Sequence, residues 1–246
     1  MAPNNDPMKC VFCGADGPAS SVAHIVPESL GGPRAPVGLQ GATCDRCNQY
    51  FGQKVESVAL GSFPFLITRL MAGIPTKKGK MPATQSTLGQ IFGTGRPGFI
   101  SVDPRSPEAA QGVSDGTITR LTILAEVTEP LAVCRMALKI GVEFLAKHFY
   151  EVAISPRVSA AREFARRPKR GSQWWAILLS DPVTFLRDIG DPRNGSELSL
   201  FEHQGCLACL LEMPGLALMV PLQPGYEPPD ASELPEPEYR IIRAVA

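Results

Sequence analysis

No apolar run in this chain of 246 residues reaches the roughly 18 that a membrane-spanning helix needs. The opening MAPNNDPMKC lacks the basic-then-apolar pattern of a secretory signal. A cytoplasmic protein with no membrane partner is therefore expected. Net charge is also missing: 24 Lys and Arg balance 24 Asp and Glu, which argues against a uniformly basic nucleic-acid binder. Histidine is scarce, at three residues, and no internal repeat is visible. Without a signal, seven cysteines are not expected to form a disulfide framework. What is there is ordinary globular composition, 44% hydrophobic and 20% charged, with 24 Pro and 23 Gly implying many turns. The length suits one large domain or two small ones.

The balanced charge conceals an uneven distribution. Lys and Arg against Asp and Glu number 6 to 1 over residues 61–105 and 9 to 3 over 131–170, but 4 to 11 over 171–246. Local fields of this kind can bind a polyanion although the sum is zero, or can simply be solvated surface.

Four cysteines form two CxxC pairs, Cys10/Cys13 and Cys44/Cys47. Each pair offers two thiolates from a tight turn, so together they suit one closed tetrahedral Zn²⁺ site that supplies folding energy to a small segment. Such a site has no open position for catalysis. Between the pairs lies HIVPESLGG, residues 24–32, on a short β-like run, SVAHIV. Its His24 has the side chain best able to take a proton from water near neutral pH. A second short run, VGLQGAT, enters the CDRC knuckle, and a helix is expected over 45–60. Asn48, near that helix start, offers a carboxamide oxygen to a hard cation such as Mg²⁺ or Mn²⁺.

CxxC, then HIVPESLGG, then CxxCNxxFGxxxE resembles the zinc-knuckle branch of the HNH endonuclease family, over residues 10–56. The resemblance implies a ββα-metal hairpin that cuts DNA with a divalent metal. By it, His24 is the general base, Asn48 helps hold the catalytic metal, Gly31 and Gly32 are hairpin glycines, and Cys10, Cys13, Cys44 and Cys47 bind structural zinc. Two departures stand out. The family's acid before the histidine is here Ala23, and Val37-Gly38-Leu39-Gln40 lacks the family's orienting asparagine. Glu56, two helical turns beyond Asn48, or Glu28 is the candidate substitute ligand.

The fold class expected is α+β: a zinc-stabilised ββα-metal unit over 1–60, followed by a mixed helix and sheet region. Residues 61–116 read as a loop-rich connection, 117–223 as an α+β C-terminal domain, and 224–246 as a Pro- and acid-rich, poorly ordered tail. Within the second domain, 117–128 predicts a strand. Residues 131–150 predict the best helix, with apolar residues at three- and four-residue steps. A further helix is expected over 156–167, and strands at QWWAILLS, CLACLLEM and LALMVPL. Cys206 and Cys209 are read as strand residues. Arg135, Lys139, Arg162, Arg166 and Arg167 form a basic patch expected to grip phosphates. Trp174 or Trp175 could stack on a base, although core packing is the plainer reading. Two functions follow: a metal-dependent DNA endonuclease, or a nucleic-acid-binding protein that kept the HNH scaffold and lost catalysis, which Ala23 favours. A scaffold that meets acidic partners is a third reading.

Overall fold

The computed structural model describes residues 8–31, 36–76, 78–119, 122–123, 126–180, 196–213, 216–228 and 239–246. The chain opens on a knuckle turn, in which Gly14 N–H donates to Cys10 O (2.7 Å) with Gly14 at φ +67°. The left-handed backbone there suits glycine. SVAHIV and VGLQGAT meet as a single antiparallel bridge, His24 to Val37, and between them lies a short helix, α1 (Glu28–Gly31). Gly32 lies outside the described residues. Helix α2 (Asp45–Phe51) starts at the second knuckle and runs through a π-helical turn (Gly52–Glu56) into α3 (Ser57–Ala59), filling the expected 45–60 helix.

Next come α4 (Phe65–Met71), a three-stranded antiparallel sheet of β1 (Ala83–Gln85), β2 (Gly89–Gly93) and β3 (Ile100–Pro104), and α5 (Pro107–Ser114). Ser106 caps α5 by accepting from Ala109 N–H, and Pro107 fits the first turn. The loop-rich reading of 61–116 is thus corrected: Ile67, Leu70, Met71 and Ile91 make a small core of their own. Strands of three to five residues with glycines at their ends are too short for alternation to reveal. The strand expected over 117–128 is reduced to one bridge, Ser86 to Ile123, among the described residues. Residues 120, 121, 124 and 125 lie outside them.

Helix α6 (Pro130–His148) is buried on most of its circumference, as an almost wholly apolar helix must be. It is followed by α7 (Tyr150–Ile154), a 3₁₀ turn (Pro156–Val158) and α8 (Ser159–Arg166). A five-stranded antiparallel sheet completes the fold: β4 (Gln173–Ser180), β5 (Glu197–His203), β6 (Cys206–Met213), β7 (Leu216–Pro221) and β8 (Tyr239–Val245), in the order β5-β6-β7-β4-β8. Gln204 and Gly205, both at positive φ, make the tight β5–β6 turn. The Pro214-Gly215 junction and residues 229–238 lie outside the described residues. The tail reading over 224–246 is corrected at its end, because β8 pairs with β4 from Gln173↔Val245 to Leu179↔Tyr239. YRIIRAV buries Ile242 and Ala244 by alternation, a signal overshadowed by the acidic, Pro-rich stretch before it.

Helix α6 lies between this sheet and the N-terminal unit. Gly141 permits the close approach on the sheet side, since a Cβ there would meet Leu222 Cδ2 at 2.7 Å and Cys209 Cβ at 2.9 Å. One continuous apolar core joins Phe51, Val55 and Ala59 to α6 and to β4, β6, β7 and β8.

Candidate functional site

The four knuckle cysteines converge, with all their sulfurs within 4.8 Å of one another. Cys13 Sγ and Cys44 Sγ are 3.7 Å apart. A tetrahedral zinc with Zn–S near 2.3 Å implies sulfurs separated by about 3.8 Å, so the donor set fits this metal. The packed thiols also bear on one another's protons. The hydrogen bond from Cys47 brings Cys10 down to about 4 against the effect of burial. Cys47 is pushed up by that same bond and by burial. A second thiolate is disfavoured in this cluster unless a cation joins it. Arg166 Nε donates to Cys47 Sγ at 3.0 Å, an outer contact that orients the ligand and offsets its charge.

A cavity of about 900 Å³ lies beside this cluster. His24, Glu28, Asp45, Asn48 and Glu56 line it, as do Lys78 and Lys80. The His24 side chain is 31% exposed, and its Nε2 is 3.2 Å from Glu28 Oε1. Nδ1 is buried without a hydrogen-bond partner, so the accessible nitrogen, Nε2, is the one that Glu28 meets. Asn48 Nδ2 donates to Ser21 Oγ (3.1 Å) and Val22 O (3.4 Å), tying the helix start to the histidine segment. Asp45 accepts from Ser20 Oγ, Ser21 Oγ and Ser21 N–H at 2.6 to 2.8 Å. These bonds, those from Ser21 foremost, hold its carboxyl well below the usual range. Ala23 is 9% exposed, and its carbonyl accepts from Gly38 N–H at 2.8 Å. Of the two candidate substitutes, Glu28 sits against His24 and Glu56 does not pair with it.

Glu56 is instead held by Lys139, which is 1% exposed and reaches across from α6. Lys139 Nζ is 2.9 Å from Glu56 Oε1 and 2.9 Å from Glu143 Oε2. It also donates to the carbonyls of His24 and Ile25. Thr43 Oγ1 donates to Glu143 Oε1 at 2.9 Å, so the network spans from the second knuckle to the histidine strand. Burial works against the Lys139 ammonium, but Glu143 and Glu56 outweigh it and raise it.

The expected phosphate-gripping patch is thus corrected in large part. Lys139 is enclosed. Arg135 donates to Ala165 O, Arg166 O and Tyr50 Oη, and Arg162 to Ala153 O. With Arg166 on Cys47, these cations brace the knuckle against α6 and α8, and of the five only Arg167 is exposed. Trp174 is buried and donates to Pro221 O, while Trp175 donates to Tyr226 O, so both tryptophans belong to the fold. Cys206 and Cys209 are buried on β6 as expected. The ion pair inside α6 had one usable sign in the sequence. Lys139 and Glu143 stand four apart among buried apolar residues of the helix, where charges have to find each other.

These features define a class: a thiolate knuckle unit whose histidine bridge and asparagine-bearing helix face one cleft. A family model described as an HNH endonuclease matches residues 10–64. The segment, under a quarter of the chain, carries both the cysteine cluster and the cleft, and the cluster agrees with the zinc-knuckle form of that family. No curated protein and no solved structure matches the chain.

Proposed function

We propose that the cleft hydrolyses phosphodiester bonds of DNA with the help of a divalent metal. One observation carries this reading: His24, Glu28 and Asn48 share a cavity inside the segment that matches the nuclease family. A water molecule attacks phosphorus and gives its proton to His24 Nε2. The P–O bond to the leaving oxygen breaks, and that oxygen takes a proton from solvent. For Nε2 to present its lone pair to the water, the Glu28 carboxylate, 3.2 Å away here, has to swing off that nitrogen; its nearby charge then stabilises the imidazolium formed. Ser21 and Val22, through Asn48 Nδ2, fix the helix start against the histidine strand.

Mg²⁺ sites commonly use one or two carboxylates, retained waters and substrate phosphate oxygens rather than a full protein cage. Glu28 and Asn48 would supply such a partial set in place of the acid missing at Ala23, while Glu56 is engaged by Lys139. When bound, the ion would neutralise charge developing on the phosphate.

The test is purified full-length protein with plasmid and single-stranded DNA, in Mg²⁺ or Mn²⁺, beside His24→Ala. Loss of the general base is expected to slow cleavage by about 10²-fold or more. The buried alanine at 23 favours a second reading, a binding protein without catalysis. No cleavage above the His24→Ala control, with salt-sensitive DNA binding retained, would decide for it.

A further inference from the structure

The cleft has a second wall that neither the knuckle unit nor the family match accounts for. It is the turn Thr76–Lys80, ahead of β1, in the segment where cations outnumber anions 6 to 1. Three of those six cations are committed elsewhere. Arg69 is buried and donates to Leu60 O, Arg105 donates to Ser86 O, and Arg96 lies over the Phe99 ring. Lys77 lies outside the described residues. Lys78 and Lys80 remain. Both are exposed, both line the same cavity as His24 and Asn48, and neither has an anionic partner among the described residues.

Thr76, Gly79 and Lys80 hold one another by hydrogen bonds. Gly79 N–H donates to Thr76 O and Thr76 N–H to Lys80 O, both at 2.8 Å, and Lys80 N–H donates to Thr76 Oγ1 at 3.1 Å. Gly79 supplies the left-handed residue, at φ +74°. Two unpaired ammonium groups in the lining of a histidine-bearing cleft suit a linear polyanion lying along it.

We propose that Lys78 and Lys80 grip the phosphodiester backbone on either side of the bond presented to His24, making the 76–80 turn the nucleic-acid clamp of this protein. The proposal rests on the nucleic-acid reading above but not on catalysis. It moves the main phosphate contacts from α6 and α8, whose cations are largely turned inward, to this turn. Ammonium groups on flexible stems read charge rather than base identity, so binding here is sequence-independent.

The experiment is fluorescence anisotropy of a labelled DNA duplex with the full chain across a series of salt concentrations. It compares wild type, Lys78→Gln/Lys80→Gln and the equally charged control Arg167→Gln/Arg170→Gln. Each phosphate contact contributes about 0.9 to the slope of log K against log salt, so the clamp variant should lose about 1.8 of slope and bind about tenfold or more weakly at low salt. Its melting temperature and zinc content should match wild type, because both side chains are exposed. A clamp variant with wild-type slope, a slope lost only in the Arg167/Arg170 control, or a wild type that binds no duplex would each overturn the proposal. Cleavage is scored separately with Mn²⁺: an inactive wild type whose binding still depends on Lys78 and Lys80 removes the hydrolysis reading and leaves the clamp standing.

Discussion

Glu143 is a buried acid whose protonation is set by its surroundings. Burial, opposed by Lys139, pushes its carboxyl up to about 7 from an ordinary 4.5. Between those values the folded chain holds the proton more tightly than the unfolded chain. Its contribution to stability is therefore complete below about 4.5 and is lost as pH rises through about 7. Subtracting the melting temperatures of Glu143→Gln from those of wild type over pH 4.5 to 8 should give a difference that declines with pH. A flat difference would contradict it. Arg166→Ala removes the N–H···S bond to Cys47 and should weaken zinc binding about 10-fold or more in a chelator competition, with Arg166→Lys intermediate. At this scale the sequence was readable where chemistry is local. The four cysteines meet as their spacing implied, and His24 and Asn48 line one cavity. For Arg135, Lys139, Arg162 and Arg166, helical spacing gives a shared face but not what covers it, and here backbone carbonyls, Tyr50, Glu56, Glu143 and Cys47 engage them.

Among the elements, α6 was legible in nearly its full extent because a long helix repeats its apolar signal many times. The β1–β3 sheet repeats its signal two or three times per strand and was lost among glycines and prolines. Helix α6 is also the element with least room. A methyl at Gly141 would press on Leu222 and Cys209, so Gly141→Ala should cost about 1–3 kcal/mol, read as a lower midpoint in urea. An unchanged midpoint would mean that the sheet can retreat from the helix. The π-helical turn has its own effect: within the 45–59 helical stretch, Gly52, Gln53 and Glu56 line the same cavity as Asn48.

As a whole, the molecule is held by one core that runs from the knuckle through α6 to the five-stranded sheet. The α+β class and the zinc unit could be read from sequence. The continuity of the core could not, because it depends on residues about a hundred positions apart, such as Thr43 and Glu143. The excised segment 1–64 should therefore bind zinc yet melt without a cooperative transition, measured by circular dichroism and calorimetry. A sharp, reversible transition in that fragment would show that the unit stands alone. In the full chain, stripping zinc with a strong chelator should lower the melting temperature of the whole molecule, since the same core is shared.

Arg166 follows Cys47 by 119 residues. At translation rates of about 5–20 residues per second, the cysteines wait some 6–24 s on the ribosome before the guanidinium that covers them is made. Metal therefore meets Cys47 before that guanidinium is in place on the nascent knuckle, and after it on the finished one. Zinc loading would be an event of biosynthesis, and mature protein placed in isotopically labelled zinc should exchange it slowly.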